Sequence, residues 1–183
     1  MVPAVLRLVC EVQSMREIKF RGKDSDNGQW RYGFYLRHSK VTLCPIYENE
    51  EEFDKAVAEN TEHYIVFDGF SDWNLPRGFY RADVSGKTVG QYTGMCDSEG
   101  TEIYEGDIVC YNDEPKVIAI VKFGNHGEDR TCYHTGFYID WIEKDYFLRN
   151  DIRYWIHGGK IKVIGNIYDN HDLLGGDANV SDT

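Results

Sequence analysis

Two histidines and a cysteine in the C-terminal half have the residue types and spacing of metal ligands. Cys132 and His134 lie two residues apart, so both side chains leave the same face of a strand, and His126 lies in the preceding loop. Glu128 or Asp129 could add an oxygen ligand, although a structural zinc usually takes paired ligands from two separate places. The interpretation that we favour is surface histidines beside a buried thiol, so we predict no metal.

The tetrapeptide Ser85–Thr88 has the residues that end a phosphate-binding loop. The full motif also needs a glycine five residues before Gly86, where this chain has Arg81. A helix should follow, so that its N-terminus faces the phosphates, but residues 89–92 are typical of a strand. The sequence therefore argues against a P-loop.

Asp24, Asp26 and Gly28 are spaced in part like a calcium-binding loop. The glycine comes one position early, and no glutamate closes a twelve-residue span. A turn between two strands explains the cluster better.

Three carboxylates, Glu102, Glu105 and Asp107, surround a predicted turn. Acid–base catalysis by this cluster would need a cleft that perturbs their pKa values. We favour a structural role, in which Gly106 takes an unusual φ and Asp107 caps the turn by hydrogen bonding to the backbone. The sequence contains no nucleophile motif, and we predict no catalytic residue.

Basic and aromatic side chains are the candidate ligand-binding residues. The segment from Asp68 to Arg81 is interpreted as an ordered loop, and exposed aromatics there suit a binding surface. Packing of the same rings between two sheets is the alternative. A bound nucleotide would need cations and aromatics to converge. The candidates are Arg21, Lys23, Trp73, Arg77, Tyr80, Arg81, Lys87 and Tyr104.

The composition describes an acidic globular protein of 183 residues with a formal net charge of −11. The charge argues against a protein that follows nucleic-acid phosphates, and it leaves open an acidic surface that attracts a basic partner. The five cysteines contain no C-x-x-C pair, so reduced thiols are expected. No apolar run reaches the roughly 20 residues of a membrane helix. We expect a protein of the host cytoplasm without a cofactor.

Strand patterns dominate the chain, and its thirteen Tyr, nine Phe and four Trp favour strands over helices. Phe53, Ala56 and Val57 are at helical spacing and predict one acidic helix over residues 48–59. The predicted strands cover residues 18–21, 30–36, 41–47, 63–67, 88–93, 102–103, 108–111, 116–123, 136–142, 154–157 and 160–167, with a helical turn over 169–174. Many short strands are typical of a small barrel or sandwich.

Three segments together resemble the YopX family of bacteriophage and prophage proteins. They cover residues 15–23 with 30–34, residues 89–109, and residues 163–168 with Leu173 and Leu174. The resemblance implies a phage or prophage origin and a mainly β protein whose C-terminal half is a small SH3-like barrel, without an established activity. Its motif positions look like fold determinants, and they are Thr93, Gly94, Asp97, Gly100, Ile103, Tyr104, Glu105, Gly106 and Asp107.

The predicted organisation has two β-rich halves. Met15 is a second candidate start, so we expect residues 1–14 to be a non-native extension; an extra strand with alternating apolar residues is the alternative. An N-terminal subdomain with the acidic helix is predicted over residues 15–82. The SH3-like barrel is predicted over 83–174, and a flexible tail over 175–183.

The predicted function is non-enzymatic binding to a host component. One version is counter-defence, by inhibition of a host protein or sequestration of a nucleotide signal. A nucleic-acid-associated protein or DNA mimic is the alternative, because small β-barrels often bind nucleic acids, and an unrecognised enzyme is a third. We expect a host protein or a small nucleotide as partner, without direct nucleic-acid binding or a membrane; a homo-oligomer is left open.

Overall fold

Antiparallel strands build most of this protein. The computed structural model describes residues 17–43, 49–69, 78–127, 134–142, 151–158 and 161–174. In chain order the strands are β1 (Phe20–Lys23), β2 (Trp30–Ser39), β3 (Thr61–Gly69), β4 (Gly78–Asp83), β5 (Gly90–Cys96), β6 (Glu102–Tyr104), β7 (Asp107–Tyr111), β8 (Glu114–His126), β9 (His134–Trp141) and β10 (Ile161–Asn166). The helices are α1 (Glu50–Glu59) and α2 (Ile152–His157), with 3₁₀ turns at Gly86–Thr88 and His171–Leu174. The mainly β class is confirmed.

The larger sheet has six strands in the order β4-β3-β2-β1-β5-β6. Its centre is the short strand β1, in which Arg21 pairs with Tyr32 of β2 on one side and with Gly90 of β5 on the other. Cross-strand partners share a face of the sheet. The face that carries Arg21 therefore also carries Tyr32, and it continues along the even-numbered residues of β2.

The smaller sheet has four strands in the order β10-β7-β8-β9, and it is covered on both faces. One face packs against α2, and its core consists of Ile103, Val109, Ala119, Val121, Ile139, Trp141, Ile152, Trp155 and Ile161. The other face buries Ile108, Cys110 and Ile118 against Ile164, Ile167, Leu173 and Leu174. Double cover explains why apolar residues occupy both parities of β7 and β8.

Neither sheet closes into a barrel among the residues that the structure describes. The strands β9 and β10 lie at opposite edges of the smaller sheet, while β5 hydrogen-bonds to β1 and β6 hydrogen-bonds to β5, so both strands extend the larger sheet. The SH3-like barrel over residues 83–174 is therefore not confirmed. The two sheets divide between β6 and β7, and the predicted subdomain boundary at residue 82 stays a prediction.

The sequence predicted one of the two α-helices correctly and assigned the other to a strand. The acidic helix is confirmed as α1, whose N-cap Asn49 accepts a hydrogen bond from the Glu52 amide at 2.8 Å. The strand over 154–157 is wrong, because α2 occupies that segment. Asp151 caps α2 by accepting from the Arg153 amide at 2.9 Å, and Ile152 and Trp155, three residues apart, are both buried.

Two predicted loops and strands also differ from the structure. The strand β4 occupies residues 78–83, part of the segment predicted as a loop over 68–81, and residues 70–77 lie outside the described residues. Of the strand predicted over residues 41–47, residues 41–43 are not in a strand, and residues 44–47 lie outside the described residues. The predictions for residues 1–14 and 175–183 also fall outside it. Within the described chain, none of the helices has the length and apolarity to cross a membrane.

Candidate functional site

The three segments that carry the family resemblance meet where the two sheets join. Arg21 of the first segment pairs with Asp107 of the second, and Trp30 of the first packs against Tyr168 of the third with ring centres 5.9 Å apart. We call the group formed by Arg21, Trp30, Tyr104, Asp107 and Tyr168 the seam. Its members come from residues 21 to 168, so the seam forms only when distant parts of the chain have come together.

Arg21 is an internal residue of the seam. Its Nη2 lies 2.6 Å from Asp107 Oδ1, in an ion pair that is not aligned as a hydrogen bond. The guanidinium lies between two rings, 4.7 Å from the centre of Trp30 and 5.0 Å from that of Tyr104. Both charged side chains are buried. The geometry makes Arg21 a structural tie between β1 and the turn before β7.

Asp107 organises that turn from inside the protein. Its Oδ2 accepts a hydrogen bond from the Tyr104 amide at 2.7 Å, which is the backbone cap that the sequence predicted. Burial raises the pKa of Asp107, while the positive charge of Arg21 opposes the shift. Gly106 has a φ of 82°, and its carbonyl accepts from the Ile167 amide at 2.9 Å. The turn is thus fixed to β10 as well as to β1.

A second polar contact closes the outer side of the seam. Asp169 forms an ion pair with Lys23, and it accepts hydrogen bonds from Trp30 Nε1 at 2.9 Å and Asn166 Nδ2 at 3.0 Å. These contacts, led by the Lys23 hydrogen bond, lower the pKa of Asp169 to about 2. Lys23 and Arg21 are therefore each paired with a carboxylate of the protein itself.

Asp97 links the β5–β6 hairpin to the smaller sheet. Its Oδ1 accepts from the amides of Glu99 at 2.9 Å and Thr101 at 2.8 Å, and its Oδ2 accepts from the Val163 amide at 2.9 Å. Gly100 closes the hairpin turn with a φ of 86°. A carboxylate with three backbone donors, in a turn that requires glycine, is consistent with the structural role expected from the sequence.

The neighbouring motif positions also bond to the backbone or lie in the interior. Thr93 Oγ1 donates to the Ile103 carbonyl at 2.9 Å, Ile103 is fully buried, and Gly94 has a φ of 82°. Burial raises the pKa of Glu105. Glu102 pairs with Lys19 and accepts from the Tyr104 hydroxyl at 2.7 Å. The carboxylates around the turn thus have separate partners, an arrangement that suits structural roles better than an acid–base pair.

The remaining candidate binding residues lie apart from the seam. Arg81 of β4 lies over the Tyr64 ring at 4.6 Å, and β4 is separated from β1 by two strands, or about 14 Å. Tyr80 is on the opposite face, against Phe67, and Lys87 is exposed in a 3₁₀ turn. Trp73 and Arg77 lie outside the described residues. Of the six described candidates, Arg21, Lys23 and Tyr104 meet at the seam, and the other three lie elsewhere, so the set as a whole does not converge on one pocket.

The turn between β1 and β2 has the geometry of a capped turn. Asp24 accepts from the Asp26 amide at 3.0 Å and from Arg31 Nε at 2.9 Å, and Gly28 has a φ of 70°. The Asp26 amide is the first of the contacts that lower the pKa of Asp24. These contacts account for the partial calcium-loop spacing.

The two histidines among the candidate metal ligands face each other on the smaller sheet. His126 of β8 and His134 of β9 are cross-strand partners. Cys132, Glu128 and Asp129 lie outside the described residues. Among the described residues, no group of three or more potential ligands could hold a metal ion.

The sequence analysis missed an exposed apolar surface on the larger sheet. It consists of Tyr32, Phe34, Leu36 and Phe79, which are 49%, 68%, 51% and 81% exposed, and we call it the exposed apolar face. The pairings of Phe34 with Val66 and of Val66 with Arg81 place β2 and β4 residues of this parity on one face. Aromatic and aliphatic residues at even positions of β2 were the available signal, but alternation alone does not say which face is buried.

The chain is thus a mainly β protein in which three sequence segments join one sheet to the other. The family model described as YopX protein matches residues 19–175, and the chain belongs to the YopX family. No curated protein matches the chain. Among solved structures, the crystal structure of protein EF1440 from Enterococcus faecalis is similar, with 18% identity, a TM-score of 0.45, and coverage of 87% of this chain and 99% of that one.

Proposed function

We propose that this YopX-family chain is a non-enzymatic binding protein of a phage or prophage, which docks a host protein on its exposed apolar face. The observation that carries the proposal is the exposure of four large apolar side chains on one side of a regular sheet. Isolated exposed apolar residues are common, but several large apolar side chains exposed on one face of a sheet mark interaction sites.

The size of the face suits the centre of a protein interface. An aromatic side chain has about 150–250 Å² of surface, so the four exposed fractions amount to roughly 500 Å². A stable interface covers about 800 Å² on each partner, with an apolar centre and a polar rim. The exposed apolar face would form such a centre, and the charged residues of β3 and β4 would form the rim.

Charge complementarity favours a partner with a basic rim. Asp68 and Asp83 are exposed on the same side as Phe79, because Asp68 pairs with Phe79 and Asp83 with Tyr64. Arg81 on this side lies over the Tyr64 ring. The whole chain has a formal net charge of −11, so a host protein with Lys and Arg around an apolar site would associate faster. Arg21 and Lys23 lie together, but both are paired with carboxylates of the protein, and Arg81 and Lys87 lie elsewhere; a protein is therefore better supported as the partner than a nucleotide.

Adjacent residues of β4 supply a matched experiment. A photo-crosslinking amino acid is placed at position 34, 79 or 80, and the protein is expressed in its host cell. Phe79 and Tyr80 are both exposed aromatics but point to opposite faces of one strand. We expect one host protein to crosslink from positions 34 and 79 and not from 80. Purified partner then binds the Phe79→Asp variant about 30-fold more weakly, the loss of a typical aromatic hot spot.

Three results would contradict the proposal. The first is equal crosslinking from positions 79 and 80, and the second is the absence of crosslinks from positions 34 and 79. The third is crosslinking of two copies of this chain, which would assign the face to a homo-oligomer. Tyr80→Asp introduces the same charge one residue away and serves as the binding control, with folding of both variants checked by thermal unfolding.

A further inference from the structure

The loop end of the β8–β9 hairpin places two imidazoles side by side. His126 and His134 are directly opposed in the antiparallel register, so their side chains leave the same face of the smaller sheet. His134 is exposed and His126 is half-buried. Neither side chain belongs to the seam or to the exposed apolar face.

The distance between the rings fits one shared ion. Their centres are 6.1 Å apart and their planes are inclined by 45°. Imidazole nitrogens bind zinc at about 2.0–2.1 Å, which puts the centres of two rings on one tetrahedral ion about 5 Å apart. A rotation of side-chain torsions that moves the rings about 1 Å closer is therefore enough, and the backbone register need not change.

The surroundings of His126 orient its ring. The ring stacks on Tyr138 with centres 5.1 Å apart and an angle of 20° between the planes. Its Nδ1 lies 3.4 Å from the Gly124 carbonyl oxygen, a long hydrogen bond when that nitrogen carries the proton. Donation from Nδ1 to a backbone carbonyl leaves Nε2 as the metal-binding atom, which is the usual arrangement around histidine ligands.

A pair of glycines beside the histidines keeps this side of the hairpin clear. Gly124 and Gly136 are opposed in the register, one step along the same face, and Tyr138 extends over Gly124 towards His126. A Cβ atom on Gly136 would lie 3.9 Å from Cε1 of the His126 ring. A larger side chain at Gly136 would therefore occupy space next to the ring.

We propose that His126 and His134 form a two-histidine chelate for a divalent transition-metal ion, with water in the remaining coordination positions. Imidazole suits nickel, copper and zinc, and affinities of such sites follow the order in which copper exceeds nickel and zinc. With two protein ligands the site differs from a closed structural zinc site, which has four. The proposal is independent of the function assigned to the exposed apolar face.

The proposal is tested by a nickel titration that is monitored by NMR, on the full chain without a polyhistidine tag. Paramagnetic Ni²⁺ should broaden the amide signals near residues 126 and 134 first. His126→Ala and His134→Ala should each weaken binding by about tenfold or more, since even an outer-shell change around a metal site costs 10- to 100-fold. His157→Ala removes an exposed histidine at the end of α2 and should leave the affinity unchanged.

A Cys132→Ser variant separates the two histidines from the thiol of the sequence prediction. Unchanged nickel affinity in this variant supports the two-histidine chelate, and its loss overturns it. Broadening that is centred elsewhere, or equal affinity in wild type and both histidine variants, also overturns the proposal. Both histidines lie at the surface end of a hairpin, so the variants should keep their unfolding temperature in metal-free buffer.

Discussion

Arg21→Met is the substitution that most directly tests how the two sheets are held together. Methionine keeps an apolar stem between the Trp30 and Tyr104 rings, but it removes the guanidinium that lies 2.6 Å from Asp107. Asp107 is 1% exposed, so water cannot replace the lost cation. Removal of one partner from a buried ion pair typically costs 3–5 kcal/mol, about a third or more of a typical folding free energy.

The magnitude for this pair follows from its contacts. In the variant, the buried carboxylate of Asp107 still accepts the hydrogen bond from the Tyr104 amide. Loss of the cation from between the two rings increases the cost of the substitution by as much as about 2 kcal/mol. Methionine packing recovers part of this. We therefore expect Arg21→Met to lower the free energy of unfolding by about 4 kcal/mol. Asp107→Asn keeps an acceptor for Tyr104 but leaves Arg21 unpaired, and we expect about 3 kcal/mol.

The double variant measures the coupling energy between the two substitutions. With Arg21→Met and Asp107→Asn combined, no unpaired buried charge remains, so the total cost should stay near that of Arg21→Met alone. The two single changes should therefore be coupled by at least about 2 kcal/mol. Equilibrium urea unfolding, followed by tryptophan fluorescence, measures all four proteins, and Trp30 in the seam is one of the reporters.

A surface ion pair provides the control for this cycle. Lys122 and Asp140 are 2.6 Å apart, but their side chains are 44% and 33% exposed. Lys122→Met should cost less than about 1 kcal/mol, the usual value of an exposed pair. The reasoning is refuted if Arg21→Met costs no more than Lys122→Met, or if the costs of the two seam substitutions simply add.

Three further predictions concern the other ties between the sheets. Asp97→Ala removes an acceptor shared by three amides, including that of Val163, and should cost about 3 kcal/mol in urea unfolding, whereas a loss below 1 kcal/mol would contradict its assigned role. Gly106→Ala should cost about 1–2 kcal/mol by the same measurement, because φ is 82°, and an unchanged midpoint would count against a strained turn. The pKa of Asp169 is about 2 in the folded protein against 3.8 for the ordinary group, so its stabilising contribution is complete above pH 4 and declines towards pH 2. Asp169→Asn should therefore lower the free energy of unfolding by about 1 kcal/mol at pH 6 and by less at pH 3. The expected loss is small because the Asp169 side chain is 37% exposed. A loss that grows on acidification would disprove this prediction.

Local chemistry made part of the structure predictable. Asp97, Gly100, Gly106 and Asp107 act through turns, whose residues are restricted by φ and by side-chain bonds to nearby amides. The acidic helix was predictable from the spacing of Phe53 and its neighbours. These features depend on a few adjacent residues, so one sequence is enough to locate them.

The rest depends on which distant strands pair. Nothing local to Gly90 says that β5 pairs with β1 and thereby leaves the C-terminal strands in an open sheet. Arg21 and Lys23 were candidates for a ligand because an exposed and a buried cation look the same in a sequence. The aromatic segment after Ile152 was predicted as a strand because β propensity outweighed its helical spacing.

The central position of β1 also governs when the protein can finish folding during its synthesis. Lys23 and Asp169 are separated by 146 residues, and a ribosome adds about 5–20 residues each second. The first strand therefore waits roughly 7–30 s for its last partner to be made. Until residues 90–96 emerge, the edge of β1 that will pair with β5 is open to other strands. The yield of native protein would then depend on chaperone binding to this nascent segment and on the spacing of ribosomes along the messenger RNA.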